Sequence, residues 1–162
     1  ITNLLDIERA REGHLAPTKQ PTEAAALVEA VLAELRTRAQ AAGVELVAAI
    51  ATPTITVDAD LIHRVLANLV DNALRHAPEG SAIRIAIAHV DGATELRVTD
   101  AGPGVPPDAR AGVFERFASG GGPTNRGLGL TFCKLAVEAH GGRIWIEDAA
   151  PGAIFVVRVP DA

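Results

Sequence analysis

The chain has no methionine, one cysteine and one tryptophan, and aromatic residues make up only 3% of its 162 positions. Each scarcity excludes something. A single cysteine, Cys133, can form neither an internal disulfide nor a cysteine-built zinc site. With so few rings, the core must be assembled from Ala, Val, Leu and Ile, and the 48% hydrophobic content supplies enough of them. No apolar run approaches the roughly 18 residues of a membrane span, and no signal peptide is visible, so a soluble, cytoplasmic chain is expected. No cluster of Lys and Arg stands out. With a formal net charge of -5, this argues against nucleic acid or anionic membrane as the main partner. The sequence opens on Ile1 without a Met, which suggests a piece of a longer protein.

By length the chain is one domain with an appended element. Residues 1–12 have a helical pattern that Gly13 stops, and residues 15–21 read as a linker with a short edge strand around 18–20. Thr22 is placed to cap a long helix through Gln40, with Leu27, Val31 and Leu35 on one side and Gly43 as its stop. Residues 44–50 and 55–57 read as short strands broken at Pro53. Asp58 caps the next helix, which Pro78 ends. Residues 82–90 and 95–99 alternate as strands around the Asp91-Gly92 turn signal. Residues 128–140 form a further helix up to Gly141-Gly142, and residues 143–148 and 153–159 close the chain as a hairpin over Pro151-Gly152. Helices alternating with hairpin-linked strands predict an α+β fold. It is a two-layer α/β sandwich with a mixed sheet of about five strands, about three helices on one face and an N-terminal helical stub. There are no internal repeats, and Gly120-Gly121-Gly122 is the one low-complexity spot.

Three stretches carry chemistry. In NLVDNALRHA (residues 68–77), Asn68, Asn72, Arg75 and His76 form a polar stripe on a helix whose other face is apolar. Asparagine is a mediocre helix former, so two amides one turn apart need a reason. In DAGPG, Asp100 ends a strand, and Gly102 and Gly104 leave the backbone open to close approach. In NRGLGL (residues 125–130), a glycine-rich helix start offers free N–H groups and the positive end of a helix dipole to phosphate. Alone, each is ordinary: a solvated helix face, a plain turn, a weak phosphate seat. Together they describe a nucleotide pocket. Asp100 can accept from an amino group such as adenine's. The helix opening at Gly127, Leu128 and Gly129 faces the phosphates. Asn72 offers an amide oxygen to Mg2+, a hard ion that takes few protein ligands beside phosphate and water, and Arg75 adds positive charge.

These motifs, in this order over nearly the whole chain, resemble the catalytic ATP-binding domain of bacterial sensor histidine kinases, which have the Bergerat-type fold. NLVDNALRHA resembles the N box, DAGPGV the first glycine box, VFERF the F box and RGLGL the second glycine box. AVEAHGGRIWIED resembles the helix-to-strand passage that follows. The resemblance implies that ATP and Mg2+ bind, with Asn72 on the metal and Asn68, Arg75 and His76 near the phosphates or ribose. It implies that Asp100 recognises adenine, and that Gly102, Gly104 and Val105 of the first glycine box and Gly127, Leu128, Gly129 and Leu130 of the second bind ATP. Residues 105–126 would form a lid, anchored by Phe114 and Phe117. It also implies that residues 1–16 are the end of a dimerisation helix and linker, and residues 17–162 the catalytic domain. The implied partners are a dimerisation and histidine phosphotransfer domain of the same homodimeric parent, and a response regulator receiver domain.

Two departures stand out. Asn125 occupies a position two before Gly127 where the family usually has glycine, and Asn tolerates positive φ better than most residues. No basic residue follows Phe117 directly, which leaves Arg126 as the favoured γ-phosphate contact beside Arg116. None of His14, His63, His76, His89 or His140 is followed by an acceptor motif of the form His-Glu/Asp-Leu-Arg-Thr-Pro, so the acceptor lies outside this chain. ATP-hydrolysing and serine-kinase cousins carry a Glu one turn before the metal-binding Asn as general base. Here that position is Asn68, favouring a histidine kinase, in which imidazole is itself the nucleophile; Asn68 and Arg126 are its candidate catalytic residues. The alternatives are an ATP-binding or docking module without phosphotransfer, and a Bergerat-fold serine kinase or ATPase. His140 reads as a helix C-terminal residue meeting the dipole, Cys133 as a small core residue, Trp145 as strand packing and His63 as exposed.

Overall fold

The computed structural model describes residues 4–115 and 126–162. A short helix α1 (Leu4–Arg11) precedes the strand β1 (Gln20–Glu23) and the long helix α2 (Ala24–Ala42). Then come β2 (Glu45–Ile50), β3 (Thr54–Val57), α3 (Ala59–His76) and the hairpin β4 (Ala82–Val90) and β5 (Ala93–Thr99). Two 3-10 turns, Pro107–Ala109 and Gly112–Phe114, lead on, and α4 (Arg126–Ala139), β6 (Arg143–Asp148) and β7 (Ala153–Pro160) complete the fold.

Local chemistry explains most of the boundaries. Asp58 caps α3, its Oδ1 accepting the Leu61 N–H at 3.2 Å, with Asp60 in the first turn and Arg75 and His76 in the last, all favourable to the helix dipole. Pro78 lies just past the C-cap Ala77, where the helix can no longer continue. Gly43 ends α2 at φ 68, and the Val44 N–H returns to Ala39 O at 3.0 Å, a wrap that suits a residue without Cβ. Asp91 and Gly92, at φ 50 and 74, turn β4 into β5. Thr22 does not cap α2. It pairs with Ile55 inside β1, so the helix can start only beyond it, and Glu23 at the N-cap makes no side-chain capping bond.

The expected sheet is there: five strands in the order β2-β4-β5-β7-β6, with β2 and β4 parallel and the other pairs antiparallel. β3 does not join it. It pairs with β1 in a separate two-stranded antiparallel ribbon, so the first edge strand spans residues 20–23 rather than 18–20. α3 packs between α2 and α4, and α4 also receives α1 through the fully buried Ile7. The core between helices and sheet is aliphatic, with Ile62, Val65, Leu66, Leu69 and Val70 of α3 facing Ile83, Ile85, Ile87, Leu96 and Val98. The other sheet face carries charge. Arg97 binds Glu95 and Glu147, and Trp145, partly exposed, lies under Arg143 and donates Nε1–H to Glu147 at 2.8 Å. Trp145 and Arg97 hold the Glu147 carboxyl below its usual range.

Candidate nucleotide site

α3 ends against the segment that follows β5. The Asp100 N–H bonds Ala153 O at 3.0 Å, and Asp100 Oδ1 accepts the Gly102 N–H at 2.8 Å. Asp100 is thereby buried, at 5% exposure, where a strand has just ended. Gly102 has no room for a side chain: a Cβ there would stand 2.7 Å from the His76 carbonyl oxygen at the end of α3. Gly152, at φ 106 in the turn between β6 and β7, would bring a Cβ to 1.9 Å from Asp100 O. The first glycine box is thus sandwiched between a helix end and a hairpin turn.

Beside it opens a cavity of about 250 Å3. Six predicted residues line it: Asn72, His76, Asp100, Gly104, Val105 and Leu130. Pro103, Val113, Ala153 and Phe155 line it too, and sequence reasoning did not single them out. Val113 and Pro103 lie within recognised motifs, but Ala153 and Phe155 arrive from β7 through sheet pairing, which has no local signal. Phe114, the expected lid anchor, is buried and meets Phe155 edge to face with ring centroids 6.1 Å apart. Phe117 and Arg116, the other expected lid residues, lie outside the described residues.

The polar stripe divides by role. Asn72 is 6% exposed and on the cavity wall, and His76 is exposed at its edge. Asn68 does not line the cavity. Its amide hydrogen-bonds the Cys133 thiol, and its Oδ1 lies 3.4 Å from where a Gly129 Cβ would be, so it fastens α3 to the first turns of α4. Burial pushes that thiol well above its usual pKa, and it also approaches Val65 O at 3.5 Å, as a core cysteine does. Arg75 is absent from the lining, and its Nε is buried with no hydrogen-bond partner among the described residues. Gly102 lines an adjoining depression instead. Arg126, Gly127 and Leu128 form the first turn of α4, and Arg126 has no described side-chain position.

Residues 57–162 match the profile of the histidine kinase-, DNA gyrase B-, and HSP90-like ATPases. The chain belongs to this family. The adaptive-response sensory kinase SasA of Synechococcus sp. (strain JA-3-3Ab) is 35% identical over 167 residues, covering 99% of this chain and 44% of that protein. The histidine-protein kinase/phosphatase MprB of Mycolicibacterium vanbaalenii is 42% identical over 99 residues, 59% of this chain and 20% of that protein. Among solved structures, full-length ShkA in complex with AMPPNP superposes at a TM-score of 0.88 with 29% identity, covering 97% of this chain and 34% of that one. The mycobacterial sensor histidine kinase MprB superposes at 0.76 with 30% identity, covering 88% and 97%. The chain therefore spans less than half the length of its first curated relatives, and it is the catalytic ATPase domain of the histidine-kinase branch. No helix among the described residues is long and apolar enough to cross a membrane.

His140 is more than a dipole partner. It is 2% exposed, its Nδ1 bonds Ala136 O at 2.8 Å, and its Nε2 accepts the Asp58 N–H at 3.1 Å. Burial lowers its pKa. His63 is half-buried and meets Glu34 at 2.7 Å rather than standing free in solvent.

Proposed function

We propose that this domain binds Mg-ATP and delivers the γ-phosphate to a histidine on a dimerisation domain, in a cytoplasmic two-component sensor kinase. Residues 1–16 would end the dimerisation helix and residues 17–162 form the catalytic unit. The parent would be a homodimer, and a response regulator receiver domain would take the phosphate onward. The observation that carries this reading is the cavity in which Asp100, Gly104 and Asn72 meet.

Asp100 is buried at its wall with one oxygen committed to Gly102, which leaves the other for an adenine amino group. Gly104, at φ 76, and Val105 give a flat backbone wall to a planar base, and Phe155 and Leu130 supply apolar contact. Asn72 fits a hard cation: it is a single neutral oxygen donor at the wall, the kind of ligand Mg2+ takes beside phosphate and water. Bound there, Mg2+ would offset the charge on the phosphates. The open N–H groups of the α4 first turn suit phosphate oxygens. Asn68, held against Cys133 and Gly129, cannot accept a proton, so the domain lacks at that position the base a hydrolase would use on water.

The test is calorimetric titration with a non-hydrolysable ATP analogue, with and without Mg2+, followed by γ-labelled ATP in the presence of a dimerisation domain bearing an acceptor histidine. Saturable Mg2+-dependent binding and acid-labile label on the added domain are expected. Binding without any label transfer would favour the module that only senses ATP.

A further inference from the structure

We infer that Arg110 is a positioning residue for the nucleotide cavity, pinning its Val105 wall to the end of β6; this rests on the nucleotide reading of that cavity. The segment from Pro103 to Pro107 has little with which to fasten itself. Pro103, Pro106 and Pro107 carry no N–H, and Val105 precedes a proline, which holds it extended. Yet Pro103, Gly104 and Val105 form one wall of the cavity. A donor must come from elsewhere, and Arg110 brings it. Its Nε–H donates to Val105 O at 3.0 Å. The same guanidinium reaches β6, with Nη1 at 3.5 Å from Ile146 O and Nη2 on Asp148 Oδ1.

One planar group therefore ties the Val105 carbonyl to strand residues that lie 36 and 38 positions beyond Arg110 in sequence. A rigid fork is suited to this; a Lys offers one flexible point charge in its place. The pair with Asp148 is of little worth by itself, because Asp148 is 76% exposed. Its effect lies in orientation, since Arg110, at 22% side-chain exposure, is held so that Nε points back to the Val105 carbonyl. Phe114 on Phe155 fixes the other end of the same segment by apolar contact. Between these two anchors the wall is formed before a ligand arrives, which lowers the cost of ordering on binding.

The experiment compares wild type with Arg110→Gln, Arg110→Lys and Asp148→Asn in titrations with adenosine, ADP and the ATP analogue, alongside thermal unfolding. Arg110→Gln should weaken all three ligands by a similar factor, about five- to tenfold for a lost charged hydrogen bond that acts only through preorganisation. Arg110→Lys should recover part of the loss, and Asp148→Asn should show a smaller loss of the same kind. Should Arg110→Gln fail to fold, the exposed Asp148→Asn carries the comparison. A lower melting temperature with unchanged affinities would make Arg110 merely structural and overturn the inference. So would a loss that grows with phosphate number, which would mark a phosphate ligand. Wild type that binds none of the three would instead overturn the nucleotide reading itself.

Discussion

The imidazole of His140, at the end of α4, accepts the backbone N–H of Asp58 at the start of α3. Asp58 also caps α3 with Oδ1 and takes the Thr18 N–H on Oδ2 at 2.9 Å, so linker, α3 and α4 converge on one residue. The bond to Nε2 requires an unprotonated nitrogen there, with the ring proton on Nδ1 facing Ala136 O.

That geometry sets a pH dependence. Burial lowers the His140 pKa, with nearby Lys19 acting in the same direction and Asp58 and the Ala136 carbonyl opposing. The unfolded chain then binds a proton that the folded chain refuses. The stability from this site is fully present above the unfolded value of about 6.5 and is lost as pH falls toward the folded value, at no more than about 1.4 kcal/mol per pH unit. Chemical unfolding at pH 7.5 and 5.5 should show a drop in wild type and a smaller one in His140→Gln. Parallel slopes would remove His140 from the acid response.

Asn72→Ala should cancel the Mg2+-dependent part of ATP-analogue affinity while the fold persists, because the side chain stands on a cavity wall rather than inside the aliphatic core. Titrations with and without Mg2+ should converge in the variant. An undiminished Mg2+ effect would move the metal to another ligand.

Asp100→Ala removes a buried acceptor from the base and from Gly102, at a cost of roughly 1.5–3 kcal/mol in ATP binding. Preference for ATP over GTP should narrow as well, since guanine presents a carbonyl where adenine has its amino group. Equal weakening of both nucleotides would restrict Asp100 to holding the Gly102 turn.

The features legible in the sequence were those decided by neighbours in the chain. Asp58 as cap, Gly43 as stop and the Asp91-Gly92 turn each follow from a few consecutive residues, and the amphipathic period of α3 exposed its polar stripe. What the sequence hid depends on distant pairing. The ribbon of β1 and β3 is short, with partners more than 30 residues apart, and β3 has the buried alternation of a sheet strand, so it looked like a member of the main sheet. Phe155 reaches the cavity because β7 pairs with β5, and Arg110 matters because Val105 and Asp148 converge on it. Nothing local announces that Gly129 and Cys133 stand against Asn68, the residue that the resemblance sets near the phosphates or ribose.

The last expectation concerns self-labelling. His140 is buried in two hydrogen bonds, and His14, His63 and His89 lie in carboxylate pairs with Glu12, Glu34 and Asp161. His76 alone among the five lines the cavity, in company with Asp100, the proposed base contact. Incubated with γ-labelled Mg-ATP, the chain should hydrolyse it very slowly, for want of a base at Asn68, and should carry no acid-labile, base-stable label. Transfer to a separately added acceptor domain should be slow, because the proximity that a shared chain provides can be worth orders of magnitude. His76→Asn serves as the control and should behave as wild type in the labelling assay. Acid-labile label on the chain alone that disappears in His76→Asn would make His76 an acceptor and overturn this assignment.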